Sequence, residues 1–242
     1  MADRSNSFLS GMFIAAPLSI ILELFIYFLA FLPAVFALSR IILAENVLIM
    51  GFWALFGFIL FHFVLAFSSA VVFFFVPYVG PGEYSSKDKV VFYVRIKDSL
   101  STLVYRGSKF CTSLVNFFPF PGYFYYRLLG AKIHPFVSID YNAKIFNPSM
   151  VSIGKNSVIG AYAVISGHIV SSVDKFILGK IEIGKNVVVG GASVIWPNTK
   201  IGDNSIIGTF SVVKPGTVIP SNEVWAGVPA KKINDRGNHT VL

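Results

Sequence analysis

The sequence predicts an all-β parallel β-helix of about five coils, preceded by an α-helical membrane domain with two transmembrane helices and interfacial helices. Three observations predict this. An aliphatic residue recurs every six positions from Ile133 to Trp225, two long apolar runs precede Pro77, and the stretch between mixes aromatic with basic residues.

Composition sets the limits. The 242 residues are 55% hydrophobic, 13% charged and 16% aromatic, with 25 Phe and a net charge of +8. That charge content is about half of an ordinary soluble domain's, and disorder is excluded for most of the chain. The single Cys111 excludes an intrachain disulfide framework and a cysteine-built zinc site. The basic residues are scattered and show no recognition-helix spacing, so no nucleic acid partner is expected. Anionic membrane lipids account for the charge better.

Residues 1–80 read as a transmembrane helical anchor with spans at about 17–38 and 47–76. No Asp, Glu, Lys or Arg other than Glu83 occurs between Asn46 and Lys87, and Val47–Val76 as helix measures roughly 45 Å, enough to cross a bilayer with tilt. Glu23 and Pro33 interrupt the first run. A carboxylate at mid-membrane costs about 2.5–3.5 kcal/mol, but near a span's end it reaches the interface. The apolar stretch is too long for a cleavable signal and is followed by another. Lys87, Lys89, Arg95, Lys97, Arg106, Lys109, Arg127 and Lys132 come after the second span. The positive-inside bias therefore puts this basic region, and the amino terminus with it, on the cytoplasmic face.

Residues 81–130 read as juxtamembrane, interfacial helices. Leu100, Leu103, Val104, Leu114, Val115, Phe117 and Phe118 recur at roughly helical spacing, Pro119, Pro121 and Gly122 break the chain, and Tyr123–Tyr126 precede Arg127. Aromatic and basic side chains together suit the headgroup layer. A soluble linker domain packed on the carboxyl-terminal repeats is the alternative.

Residues 131–233 carry the β-helix and 234–242 a polar tail. Ile133, Ile139 and Ile145 begin the ladder, two extra residues near Met150 shift its phase, and it continues from Ile153 through Ile159, Ile165, Ile183, Val189, Ile195, Ile201, Ile207, Val213 and Ile219. Neither a helix nor a plain strand keeps period six on one face. Three hexads make a triangular coil of about 18 residues whose aliphatic rows pack only against neighbouring coils. Ser171 breaks the ladder, which resumes in phase at Ile177. The intervening polar residues are expected to lift away as a loop, where sites tend to sit.

His168 precedes that loop, in the fourth place of its hexad, and Asn186 and Asn204 hold the same place 18 and 36 residues on. An imidazole is well suited to taking a proton from an alcohol or amine near neutral pH, so His168 is the candidate catalytic base. A surface turn histidine is the alternative. Asp174 is the candidate orienting carboxylate. Glu182 is the other one near in sequence, and the chain does not say which reaches the ring. His62, His134 and His239 are too dispersed to assemble a three-imidazole zinc site, so no metal is expected. No glycine-rich phosphate loop opens a helix, which disfavours nucleotide-sugar synthesis.

The text Ile183-Gly-Lys-Asn-Val-Val-Val-Gly-Gly-Ala-Ser-Val-Ile, then Ile201-Gly-Asp-Asn-Ser-Ile-Ile-Gly, Val212-Val-Lys-Pro-Gly and Trp225-Ala-Gly-Val-Pro-Ala-Lys-Lys-Ile resembles the hexapeptide-repeat acyltransferases. The resemblance implies a left-handed parallel β-helix, a homotrimer, and acetyl-CoA or another acyl-CoA lying between subunits. It implies that His168 deprotonates the acceptor, that Gly191 and Thr209 meet the pantetheine arm, and that Ser211 and Lys214 precede the phosphates. Gly227, Pro229, Ala230 and Lys231 match the closing signature near the nucleotide end. Asn186 completes the expected cofactor-binding set. Thr209 replaces the commoner alanine, and Lys214 is followed by Pro215 where the family pattern differs. The run His168–Gly184, behind two spans, is also similar to the membrane-linked acyltransferase-like terminal domain of polylysine-type non-ribosomal peptide synthetases.

Two function classes are consistent with this sequence. One is an acyltransferase that moves an acyl group, acetyl by default, to the oxygen or nitrogen of a membrane-associated or cell-envelope acceptor, lipid-linked or polymeric. The other is a non-catalytic trimeric scaffold or regulatory subunit at the membrane.

Overall fold

A computed structural model describes residues 3–85, 88–107, 119–172 and 174–236. Cys111, Lys109, Leu114, Val115, Phe117, Phe118 and His239 lie outside the described residues, as does the tail beyond 236.

Apolar residues with no competing polar side chains leave the backbone to bond within itself, and two long helices result. α1 (Asp3–Ile42) runs unbroken through Pro17 and Pro33, so the expected first span is part of a longer helix. A proline removes one internal bond, but packing on α2 (Val47–Phe75) supports the rod. Ile26, Ala30, Leu65, Ala70 and Phe73 are buried in one continuous core, and a Cβ on Gly57 would stand 2.5 Å from Ala37 Cβ. Small residues thus set the close approach of the pair. Asn46 starts α2 by accepting the Leu48 N–H at 2.7 Å. The segments Pro17–Ile42 and Val47–Phe75 are long and apolar enough to cross a membrane, and only 17% and 28% of their most apolar windows are buried. Phe28, Leu32, Phe52 and Phe74 instead face outward.

α3 (Lys89–Gly107) is apolar on two sides. Ile96, Leu100, Leu103 and Val104 join the core shared with α1 and α2. Val91 and Val94 pack with Met150, Phe176 and Leu178. A short helix, Pro119–Leu128, leads into the first coil. Its Tyr125 and Tyr126 are buried, with the Tyr125 hydroxyl donating to Ser101 O at 3.1 Å. Both rings lie in the core cluster that also holds Ile133 and Ile139 of the first coil, whereas sequence reasoning assigned them to a headgroup layer.

The hexads build a solenoid of about five turns with three parallel sheets. One face stacks Ile133, Ile153, Ile183, Ile201 and Ile219 in register. The second stacks Ile139, Ile159, Val189, Ile207 and Trp225, and the third Ile145, Ile165, Ile195 and Val213. The two extra residues near Met150 are accommodated by a 3₁₀ turn, Pro148–Met150. Strand Ala230–Asp235 folds back antiparallel on Glu223–Gly227 and ends the column.

The anticipated loop is a β-hairpin. Strands His168–Ser172 and Lys175–Leu178 pair antiparallel, and strand Gly82–Ser85 adds to the Lys175–Leu178 edge. Gly179 N donates to Gly167 O at 2.8 Å, so the hairpin leaves and rejoins the column at one point. It lengthens this coil by twelve residues, since Ile165 stacks on Ile195 thirty positions on where other coils repeat after eighteen, and twelve equals two hexads, which is why Ile177 falls on the beat. Ile177 nevertheless pairs with Ile169 inside the hairpin and belongs to no solenoid face.

Candidate active site

The insertion changes the row of His168. Ile165 stacks on Ile195, not on Ile183, and Ile181 on Thr199, so His168 opens the hairpin outside the column, and it is Gly179 that lies against Asn198. Asn186 belongs to a separate row. Asn156, Asn186, Asn204 and Asn222 each sit at a coil corner with φ between 54° and 63°. Their side-chain amides bond from coil to coil at 3.3, 3.0 and 3.2 Å. Asparagine tolerates this left-handed backbone better than other side-chain-bearing residues, and the ladder satisfies its amide. Asn186 is a turn residue of the column, and it is not grouped with His168.

His168 is positioned by three elements. Its ring stacks on Phe176 of the returning hairpin strand, with centroids 5.3 Å apart and planes at 17°. The edge of Phe146 faces it at 6.4 Å. Its Nδ1 lies 2.5 Å from Asn147 Oδ1. A carbonyl oxygen only accepts, so Nδ1 carries the proton and Nε2 keeps a lone pair. Asn147 is 5% exposed and has a φ of 52°. Gly167 makes room for this arrangement, because a Cβ there would meet Met150 Cβ at 2.9 Å and Asn147 Cβ at 3.2 Å.

The carboxylate at this site comes from α3. Asp98 Oδ2 stands 4.0 Å from His168 Nδ1, and Asp98 Oδ1 accepts the Asn147 N–H at 3.3 Å. Burial pushes the Asp98 carboxyl up to about 7, against the opposing pull of the Asn147 N–H and the Arg106 charge. Burial likewise holds His168 down at about 4, and the Arg95 guanidinium acts in the same direction. The imidazole is therefore neutral at physiological pH.

Asp174 does not share this cluster. It is exposed at the hairpin tip, beyond four strand residues, or roughly 13 Å from His168. Glu182 is on the outer surface, 3.7 Å from Lys200. Proximity along the chain misled here, because an antiparallel hairpin carries its tip away from its base. Among the described residues no group of His, Cys, Asp and Glu could hold a metal ion. His62 Nδ1 is 2.7 Å from Phe58 O within α2, and His134 Nδ1 accepts the Phe136 N–H at 3.2 Å.

Apart from Lys214, which follows the Val213 strand stacked through Ile195 on Ile165 and so shares the His168 corner, the expected cofactor residues occupy other corners. Gly191 and Thr209 stack with Ala161 in one column of small residues: Ala192 N donates to Ala161 O at 2.7 Å and Phe210 N to Gly191 O at 2.9 Å. Within one chain a face width, on the order of 20 Å, separates this column from the His168 corner. Ser211 is fully buried, and its Oγ accepts the Gly227 N–H at 3.1 Å. Its role is to hold the closing segment. Lys214, Gly227, Pro229 and Lys231 are exposed and Ala230 half-buried, so the two lysines offer free-standing positive charge at the surface.

Residues 180–219 match the family model described as bacterial transferase hexapeptide (six repeats), and residues 150–170 match the hexapeptide repeat of succinyl-transferase. These segments are hexapeptide repeats. No curated protein matches the chain. Solved structures similar to the hexapeptide-repeat chain include an acetyltransferase of Vibrio cholerae, at 17% identity over 60% of this chain and 93% of that one, with a TM-score of 0.45. A maltose O-acetyltransferase of Clostridium difficile shows 22% identity, 55% and 88% coverage and a TM-score of 0.40. AntD, an N-acyltransferase of Bacillus cereus in complex with dTDP and 3-hydroxybutyryl-CoA, shows 23% identity, 46% and 86% coverage and a TM-score of 0.33.

Asp98, Asn147, Phe146 and Phe176 escaped sequence reasoning. For Asn147 a signal existed, since the phase shift at Met150 marks an irregular corner beside it. Asp98 had none. It lies 70 positions before His168, in a helix outside the hexapeptide repeats.

Proposed function

We propose that the chain is an acyl-CoA-dependent acyltransferase that transfers an acyl group, acetyl by default, to a hydroxyl or amine of a membrane-associated or cell-envelope acceptor. One observation carries the reading: within a hexapeptide-repeat column, a neutral imidazole has its Nδ1 proton fixed by Asn147 and its Nε2 lone pair left for an incoming group. The acyl-CoA supplies an activated thioester. His168 Nε2 accepts the acceptor's proton as its oxygen or nitrogen bonds the acyl carbon, then returns that proton to the departing sulfur. The imidazolium formed meanwhile lies against Asp98.

The column of Ala161, Gly191 and Thr209 suits a slender pantetheine arm, because its side chains are short. Exposed Lys214 and Lys231 suit phosphates. The small-residue column lies a face width from His168, whereas Lys214 shares the His168 corner two coils along, so the reading calls for a neighbouring subunit to bring the pantetheine column and the base together, as a trimer does. The outward-facing apolar side chains of α1 and α2 support membrane anchoring, with column and amino terminus on the cytoplasmic side. Anchoring raises the local concentration of a membrane-held acceptor.

The test measures acetyl-CoA-dependent acylation of envelope lipid and glycan extracts by the full chain in lipid nanodiscs. His168→Ala is expected to lower turnover by about 10²–10⁴-fold. Undiminished turnover removes the base assignment. Calorimetric absence of CoA binding at millimolar cofactor, in folded protein, favours a scaffold instead.

A further inference from the structure

α3 packs against the apolar helices on one side and the His168 hairpin on the other. Between these faces Arg95, Asp98, Ser99, Thr102 and Arg106 recur at helical spacing and form a polar strip. Its two halves have different partners. Asp98 meets Asn147 and His168. The next residue, Ser99, donates its hydroxyl to Glu23 Oε1 of α1. Arg106 Nη2 donates to the same Glu23 oxygen at 2.7 Å, and also to Ser99 O at 2.9 Å and Ser99 Oγ at 3.0 Å.

Glu23 lies within the apolar segment of α1, and its side chain is 17% exposed. A carboxylate so placed is costly without partners, and both partners here come from α3. Hydroxyl and guanidinium converge on one oxygen, which fixes α3 against α1 in position and in rotation about its axis. Asp98 is adjacent to Ser99, so the same constraint determines where the carboxylate stands relative to Nδ1. A helix slide of one residue moves Asp98 by about 1.5 Å and turns it by about 100°, which removes it from the imidazole.

We propose that Asp98 is a positioning residue of the acyltransfer site, and that the Glu23–Ser99–Arg106 cluster fixes it, making the apolar hairpin of α1 and α2 part of the machinery that sets His168. The proposal rests on the reading of His168 as the base. It assigns the helices a second task beyond anchoring. Asp98 holds the Asn147 backbone in its left-handed corner, Asn147 fixes the tautomer, and the Asp98 charge faces the imidazolium when it forms.

The experiment uses the full chain in nanodiscs with ¹⁵N-labelled histidine. The sequence has four histidines, and His168→Gln assigns the signals of His168. Wild type is expected to show His168 protonated at Nδ1. Glu23→Gln and Ser99→Ala are each expected to mix the two tautomers and to lower kcat on the order of 10- to 100-fold with KM unchanged, as loss of a partner that orients a functional histidine does. Glu23→Asp is expected to recover part of both. Ser99→Ala keeps the Glu23–Arg106 pair, so it remains informative if Glu23→Gln unfolds. Phe28→Leu, on the exposed face of α1, is the control and should match wild type. His168 signals and kcat unchanged in both Glu23→Gln and Ser99→Ala overturn the proposal. Tautomer mixing in a chain with no acyltransfer activity upholds the network and overturns only the functional reading beneath it.

Discussion

Replacing Asp98 by asparagine keeps the shape of the side chain and its acceptor toward Asn147 N–H, and removes the charge 4.0 Å from His168 Nδ1. That charge does not face an ionised imidazole in the ground state, because His168, held down near 4, is neutral. It faces one when the base takes the acceptor's proton. Two unit charges at that distance attract by about 1 kcal/mol in bulk water and by about 4 kcal/mol at the effective dielectric of about 20 found near protein surfaces. The side chains are 26% and 21% exposed, so neither limit applies alone, and the loss falls between roughly 5-fold and 900-fold in rate. We expect a decrease on the order of 10² in kcat at pH 8, with KM unchanged, because the interaction exists only on the way to the transition state. The pH profile adds a second signature. Asp98 titrates near 7 while His168 stays neutral, with Arg95 and Arg106 the fixed charges around them. Wild-type kcat should therefore rise through about pH 7, and Asp98→Asn should be flat there. The assay is steady-state acyl transfer in nanodiscs between pH 5.5 and 8.5. A variant within twofold of wild type at pH 8, with the same rise through pH 7, would falsify the role of the charge.

The same substitution has a stability consequence of opposite sign. The folded carboxyl titrates near 7 and an unfolded one near 4, so ionisation favours unfolding as pH climbs between them, and the full penalty stands above 7. Asp98→Asn should raise Tm at pH 8 and leave it unchanged at pH 4. The depressed His168 costs stability below about 6.5, but equally in both proteins, so it cancels. A Tm lowered at pH 8 would contradict this. At Asn147, φ is 52°, which glycine adopts without strain and alanine at a cost of about 1–2 kcal/mol. Asn147→Gly and Asn147→Ala should lose kcat alike, since both release the imidazole proton, while Asn147→Ala alone loses additional stability. Wild-type kcat in Asn147→Gly would show that the amide does not set the tautomer. Gly190 faces the next coil so closely that a Cβ would lie 2.5 Å from Thr209 N and 2.7 Å from Gly208 C and Ile207 O. These are backbone atoms held by the coil-to-coil ladder. Gly190→Val should cost at least the 1–3 kcal/mol of ordinary overpacking, whereas Gly80→Ala, with open space around it, should leave the thermal midpoint within a degree or two.

The column was legible in the sequence because its stabilising unit is local and repeated. Each ladder isoleucine is buried by the residue above and below it, so the same requirement recurs every six positions and leaves a period. The two apolar helices were legible for a related reason, since strongly apolar runs of that length admit few other structures. The continuous course of α1 through Pro33 was not, because neighbouring α2 decides whether a missing hydrogen bond breaks a helix. Nor was the hairpin: twelve inserted residues preserve the six-residue phase, so the beat resumed at Ile177 while the chain had left the column. That hidden insertion also moved His168 out of the row of Asn186. The sequence alone determined that a hexad histidine stands beside an irregular segment. Only the tertiary structure decided what the histidine meets, because Asn147 comes from an earlier coil and Asp98 from a helix with no repeat to mark it. Contacts between non-repeating segments depend on how rigid bodies dock, and docking leaves no periodic trace in the chain.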